Sequence, residues 1–454
     1  MKRKSLTILL AILAGTLFVS ADDSGNCGAQ GDNLTWYYNE TALTLTISGT
    51  GDMADYSSTS LISASAAPWK NYREIITSVI LPEGLTHIGN RTFYNFTSLT
   101  SVTIPHGVTS IGLSAFAQSG LTDIVIPNSV ISIGEGAFRQ CASLTSATLS
   151  SGLTTLETAV FSFTGLTSIT IPNSVTSINN QAFSYCEDLK TLVLGTGVTN
   201  IASLAFDHYS CALEEVTVLA ENPPTAGANA FDLSDNAKLH ISTLYAENYT
   251  NTDKYPWYAM TKVADFAYLT AKEDPANTGV YYNSFFDSNY AYALPAGVEA
   301  YIASVSGETL LLTKIAEAGR VLPANTAVIF KSERPDFTLD VSDAAPVTFS
   351  ASNSLLGTNS EMAAPENCYV LSAGDSGVGF YQYNSANTLK AHKAYIVLSG
   401  ASAAPKRLRF VFDAPTGMEQ VQRDKLQGKK VLRDGQLVIE YDGRYMNIFG
   451  QTIQ

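Results

Sequence analysis

The chain has 454 residues, 45% apolar and 15% charged, with 32 glycines. That composition excludes a disordered or collagen-like chain and leaves room for two to four domains with a substantial core. The formal net charge of −14 argues against nucleic-acid binding; diffuse acidity serves solubility and names no ligand.

Lys2, Arg3 and Lys4 precede an apolar run from Leu6 to Val19, and Val19-Ser20-Ala21 offers small residues where a signal peptidase cuts. Residues 1–21 are therefore expected to be an export signal. An uncleaved anchor is the competing reading, for which the run is short. Cleavage removes three cations and takes the formal charge to −17. No other long apolar run occurs, so no transmembrane segment is expected in the mature chain. Next, "NLTWYYNETALTLTISGTGDM" alternates apolar and polar residues through Leu43, Leu45 and Ile47, as strands do. With "APWKNY", whose Trp69 is a core candidate, it makes 22–75 an N-terminal β cap for the repeat region beyond it.

From Ile76 onward one phrase returns. Its anchors are Phe93, Phe116, Phe138, Phe161, Phe183, Phe206 and Phe231, at gaps of 23, 22, 23, 22, 23 and 25. A fixed period in the twenties predicts a solenoid with one coil per repeat. In the second coil Val102 and Ile104 point inward at period two, Pro105 ends the strand, His106-Gly107 turns the chain and Phe116 plugs the interior. One coil cannot bury this set; seven stacked coils form an apolar column roughly 30–35 Å long. Both ends need covering. Tyr245, Tyr249, Trp257 and Val263 in the off-beat segment 243–263 are expected to close the far end, so that 76–264 is the solenoid with its C-terminal cap.

These features together resemble the BspA-like leucine-rich repeat family of exported bacterial proteins. The matching stretches are "CGAQGDNLTWYYNETALTLTISGTGDM", "APW", the "LTSVTIP…VTSIG…AF" repeats and "YPWY". The resemblance covers roughly residues 25–264. It implies a curved parallel β-solenoid and adhesion or ligand binding at the cell surface, without catalysis; the expected location is the outer surface of a Gram-negative bacterium or the medium outside it.

Residues 277–413 lose the beat. Runs such as "EAYIASV", "TLLLTKI", "TAVIFKS", "FTLDV" and "KAYIVLS", separated by turn residues, predict an all-β, sandwich-like domain. After a polar linker, 429–454 carries Asp434-Gly435 and Asp442-Gly443, two hairpin turns that predict a small β meander of three strands. It resembles a type IX secretion sorting domain but lacks the lysine-rich final strand; a structural add-on is the other reading. The fold class expected overall is mainly β.

No catalytic group assembles in the sequence. "GDSG" at 374–377 is similar to the nucleophile loop of chymotrypsin-like proteases, yet Val378 replaces the next glycine and His392 follows where a base should precede. A β-turn explains it better, and a hydrolase in 277–413 is the remote alternative. The five cysteines, Cys27, Cys141, Cys186, Cys211 and Cys368, form no CxxC, and no histidine pair has metal-ligand spacing. No cofactor or metal is expected. Cys141 and Cys186 share a coil position two coils apart, too far to bond, and read as buried thiols; Cys186 and Cys211 lie in adjacent coils.

Two surfaces remain as candidate binding sites. The outward strand positions, including Ser101, Thr103, Asp123, Thr148 and Thr170, are hydroxyl-rich and nearly uncharged. They suit a long flat partner, or they are simply good exposed strand residues. Two positions past the anchor stand Phe163, Tyr185 and His208 in successive coils. Such a row of rings would grip a sugar or an aromatic hot spot, unless its members only pack on one another. The expected partners are a host matrix or cell-surface protein, or a glycan. A spacer presenting the 277–413 domain is the alternative to adhesion.

Overall fold

The computed structural model describes residues 5–8, 19–56, 66–207, 213–231, 233–250, 256–257, 260–374, 377–398, 405–412, 429–433, 436–441, 444–446 and 452–453. The leader reading lies largely outside these, as do His208, Cys211, Ser376 and both Asp-Gly turns of the tail. The chain divides into two units, Met1–Thr270 with Asp336–Asp343, and Ala271–Pro335 with Ala344–Gln454.

The first unit is the solenoid. The period of the sequence becomes an internal pile of rings: from Phe93 to Phe231 each anchor stacks on the next, with centroids 5.1–5.5 Å apart. Leu99, Leu121, Leu144, Leu166 and Leu189 are buried with them in one continuous core. Fully burying a side chain of this size is worth about 1.5–3 kcal/mol, and stacking repeats the gain at every coil. Coil backbones approach closely where glycine stands four residues before the anchor. A Cβ on Gly134 would lie 2.5 Å from the Leu113 nitrogen, and one on Gly112 2.6 Å from that of Asn90.

At the front, the antiparallel strands Gly31–Asn39 and Thr44–Gly49 form the cap. Thr44–Gly49 pairs in parallel with Ser78–Ile80, supplying the rung before the first coil. Leu34, Trp36, Tyr38, Leu45 and Ile47 face inward, following the alternation of the sequence. At the back, Tyr249 and Trp257 are fully buried and Trp257 meets Phe231 edge to face; Tyr245 and Val263 are half-buried.

The strand face is less regular than the repeat suggests. Asp123–Val125 pairs with Ser146–Thr148, and a longer parallel run joins Ser168–Ile171, Thr191–Leu194, Leu213–Val218, Leu233–Ser242 and Thr261–Thr270. Residues 101–104 form no strand, so the ladder is interrupted at the second coil. Asp336–Val341, the "FTLDV" run from the middle of the 277–413 segment, adds antiparallel to Thr261–Thr270 and belongs to the solenoid unit.

The main sheet of the second unit has ten strands and folds over until Asn277–Phe285 packs against Lys393–Val397. Its interior holds Tyr301, Leu310, Leu312, Ile329, Phe380 and Ile396. The tail forms four antiparallel strands where the turn signals gave three: Lys429–Arg433, Gln436–Tyr441, Arg444–Met446 and Thr452–Ile453. The last follows no Asp-Gly or comparable turn signal. No helix among the described residues is long and apolar enough to cross a membrane.

Candidate functional site

The arc that carries the anchors also sets the most structured surface of the solenoid. Two residues past the anchor, Asn95, Gln118, Gln140, Phe163 and Tyr185 have φ of 63, 62, 61, 61 and 58°. Two residues before it, Arg91, Ser114, Gly136, Ala159, Gln181, Leu204 and Asn229 do the same, with φ of 51–60°. A left-handed L-residue costs roughly 1–2 kcal/mol. The conformation persists because it aims each amide at the next coil. The N–H groups of Gln118, Gln140, Phe163 and Tyr185 donate to the carbonyls of Arg139, Ser162, Ser184 and Asp207 at 2.8, 2.8, 2.9 and 3.0 Å. The anchor amides do likewise: Phe116 donates to Ala137 and Phe138 to Val160. Breaking the ladder would leave buried amides unpaired.

A repeated backbone conformation puts the side chains in file. The Gln118 amide donates to Gln140 Oε1 at 2.8 Å. Phe163 and Tyr185 stack face to face, centroids 4.3 Å apart and 7° from parallel. The Arg139 guanidinium lies over the Phe163 ring, 6.0 Å from its centroid. Phe163 is 37% exposed. Coil order places Arg139 before Phe163 and Tyr185 after it, so the Phe163 ring is sandwiched and turns its edge to solvent. A shallow groove of about 370 Å³ runs along this file, lined by Gln118, Arg139, Gln140, Gln181 and both rings. On the other flank of the rings a second groove of about 440 Å³ is bounded by Gln140, Thr164, Gly165, Glu187 and Asp188. Phe163 and Tyr185 thus pack on one another, while His208, the third member of the row, lies outside the described residues. Arg139 and the two glutamines were not singled out there, although their positions one and two past the anchor marked them as neighbours.

Beneath the file, Cys141 and Cys186 are buried free thiols. Cys141 Sγ donates to the Phe116 carbonyl at 3.1 Å and Cys186 Sγ to that of Phe161 at 3.2 Å. Desolvation pushes both up to about 11, which removes them as nucleophiles near neutral pH.

On the strand face, Ser101 and Thr103 are exposed on the segment that lacks a strand; Asp123, Thr148 and Thr170 are exposed on their strands. They form a file along the face and converge on no common point. The face also stops being uncharged toward the last coils. His240 lies between two carboxylates, Nδ1 2.7 Å from Asp265 Oδ2 and Nε2 2.5 Å from Glu215 Oε2, while Lys238 Nζ donates to Glu215 Oε1 at 2.9 Å. The "KLHIS" alternation carried this signal, because it sends Lys238 and His240 to the same face as Glu215. Burial opposes protonation of His240, but hydrogen bonds to Glu215 and Asp265 prevail and raise its pKa. Hydrogen bonds from Lys238 and then His240 hold Glu215 below the ordinary carboxylate value. Among the described residues, no three His, Cys, Asp or Glu side chains are placed to hold a metal ion.

The model of the BspA type leucine rich repeat region matches six copies, over residues 70–190, 113–238 and 155–268. The solenoid belongs to the BspA-type leucine-rich repeat family. The β-solenoid that the resemblance implied is the fold of this region. No curated protein matches the chain. Among solved structures, a leucine-rich repeat protein from Bacteroides ovatus ATCC 8483 is 20% identical, with 58% of this chain and 76% of that one covered and a TM-score of 0.33. A leucine rich cell surface protein from Faecalibacterium prausnitzii A2-165 is 24% identical, covering 47% and 76%, with a TM-score of 0.27. The pneumococcal vaccine antigen PcpA is 12% identical, covering 53% and 99%, with a TM-score of 0.21.

Proposed function

We propose that this BspA-type solenoid is the non-catalytic binding module of an exported adhesion protein, held at the outer surface or released, which engages host matrix or cell-surface proteins or glycans. One observation carries the reading. Phe163 and Tyr185 form a partly exposed stacked pair, fixed on left-handed backbone and bordered by grooves on both flanks. Rigid aromatic and arginine side chains that lose little freedom on association are the usual energetic centre of a binding surface. The hydroxyl-rich strand face, with Ser101, Thr103, Asp123, Thr148 and Thr170, is the second surface in this reading. The test is an array of matrix proteins and glycans probed with the purified chain from residue 22 onward. Binding at micromolar concentration is expected, reduced in a Phe163→Asn, Tyr185→Asn double variant. Absence of binding across the array overturns the reading.

A spacer role is favoured by a different observation: the second unit has its own core and would be a complete module for the solenoid to present. Deleting residues 76–245 with cell binding retained would establish that role.

A further inference from the structure

We propose that the ridge formed by Arg139, Phe163 and Tyr185 receives an extended polypeptide whose apolar side chain lies against the ring edges and whose lysine or arginine reaches Glu187 and Asp188. This rests on the ridge being the binding surface and names the class of partner it fits.

Three observations select a polypeptide over a sugar. Carbohydrate stacking needs an open aromatic face. The Phe163 ring has Tyr185 against one face at 4.3 Å and the Arg139 guanidinium over the other. At Phe163 the ridge therefore offers a ring edge, which carries the positive end of the ring quadrupole and packs against aliphatic groups and carbonyl oxygens. Second, the groove beside the arginine is lined with Gln118, Gln140 and Gln181. Their amides both donate and accept, as a peptide backbone requires along its length. Third, the opposite groove ends at Glu187 and Asp188, both exposed. Two adjacent carboxylates that share a groove with the Phe163 and Tyr185 rings suit a long cationic side chain, whose methylene stem covers the rings while its charge reaches the acids.

The two acids follow Tyr185 by two and three residues, so the same turn that holds the ring in place also fixes where the negative charge sits. An extended peptide advances about 3.3 Å per residue. A residue against the ridge and a cation one or two positions away therefore span the ring edge and the acidic end together.

The experiment is selection from a random dodecapeptide display library on the purified chain from residue 22 onward, beside a glycan panel. Enriched peptides are then measured individually against two variants. Phe163→Asn, Tyr185→Asn places at the ridge the residue that Asn95 already holds in the same backbone conformation. Glu187→Gln, Asp188→Asn removes only rim charge. The expected result is enrichment of lysine or arginine next to proline or an aliphatic residue. Affinity should fall at least about tenfold in the ridge variant and about threefold in the rim variant, with a weaker salt dependence. Enrichment of acidic or uncharged sequences, or undiminished binding to either variant, overturns the proposal. Glycan binding lost in the ridge variant overturns it while leaving the ridge as the binding surface. Silence from library and panel together overturns both readings.

Discussion

The indole N–H of Trp69 donates to the carbonyl of Thr92 at 2.9 Å while its ring stacks on Phe93, centroids 6.2 Å apart and 17° from parallel. In the body of the solenoid the carbonyl just before each anchor accepts the amide of the preceding anchor, as Ala115 does from Phe93 and Ala137 from Phe116. Trp69 therefore supplies with one side chain both things a preceding coil would supply: a ring for the stack and a donor for the open carbonyl. A solenoid end exposes both kinds of unmet demand, and a single tryptophan meets them at the most buried point. Trp257 serves the other end, edge-on to Phe231 and donating to Pro224 O at 2.8 Å.

Separating the two roles gives the first prediction. Trp69→Phe keeps a ring but leaves Thr92 O without its donor, and should destabilise the first coil by about 1–3 kcal/mol. Trp69→Ala also opens a cavity and should cost about 3–5 kcal/mol. Repeat arrays fray from their ends, so hydrogen exchange at the Phe93 and Phe116 amides is the suitable measurement. Equal protection in the parent chain and Trp69→Phe would show that the ring alone caps the column.

Interior anchors bear on the whole column. Phe161 is buried between Phe138 and Phe183, at 5.2 and 5.5 Å. Phe161→Ala should cost about 3–5 kcal/mol and divide unfolding into two transitions, because each coil touches only its neighbours. One cooperative urea transition with a lowered midpoint, read by circular dichroism, would show that coupling crosses a broken rung.

The left-handed positions give a prediction of opposite sign. Ser114, Ala159 and Gln181 have φ of 51, 53 and 58°, where Gly136 stands in an equivalent place at 60°. Replacing Gln181 by glycine relieves steric strain but adds freedom to the unfolded chain. The balance should leave stability unchanged or raised by up to about 1 kcal/mol. Gln181→Val forces a β-branched side chain into the same region and should lose more than 1 kcal/mol, roughly. Urea midpoints at constant slope compare them; a glycine variant less stable than the valine variant would contradict the assignment of strain.

How much of the molecule was legible depends on the range of the interactions. The anchors and the seven coils are written as a period, and a period requires the residues to be equivalent; the closing Trp257 was legible only as an apolar residue in the segment that breaks it. The left-handed residues beside each anchor were not legible. Only Asn95, Gly136 and Asn229 are types that advertise such a conformation, while Arg91, Ser114, Gln140 and Leu204 adopt it because a neighbouring coil takes their hydrogen bond. The strand Asp336–Val341 reads as a strand, but its partner Thr261–Thr270 lies about seventy residues away, and alternation does not encode a distant partner. The sandwiching of Phe163 depended on Arg139 from the coil before it, a contact that no position considered alone reveals.

Thiol chemistry checks the interior. Cys141 and Cys186 are held at about 11 by desolvation, and Cys27 is raised to about 12. Native protein at pH 8 should take up iodoacetamide at none of these three positions within hours, and all should label in 6 M guanidinium, roughly the usual denaturing condition. Peptide mass mapping reads each site separately. Fast native labelling of Cys186 would show that the coil under Tyr185 opens, and would weaken the rigid ridge on which the binding proposal stands.

The charged end of the strand face predicts a pH dependence. Hydrogen bonds to Glu215 and Asp265 raise the His240 pKa above its ordinary 6.5 despite the opposing burial. A raised histidine stabilises the fold in its protonated form: the contribution is complete below 6.5 and disappears as pH rises through the folded value. Glu215 works in the other direction. Its pKa, lowered first by Lys238 and then by His240, gives a contribution present above 4.5 that disappears as pH falls through the folded value. The three strands carrying Glu215, His240 and Asp265 should therefore hold together best in mildly acid solution, between these limits. Lys238, which donates to Glu215, and Asp340, which lines a shallow pocket with His240 and Asp265, are further charges beside this cluster. Hydrogen exchange of residues 213–242, corrected for intrinsic rates, should show greater protection at pH 6 than at pH 8.5, and His240→Gln should flatten the difference. Protection that rises from pH 6 to 8.5 in the parent chain would mean that the imidazole is held neutral, and that the two carboxylates repel each other across it.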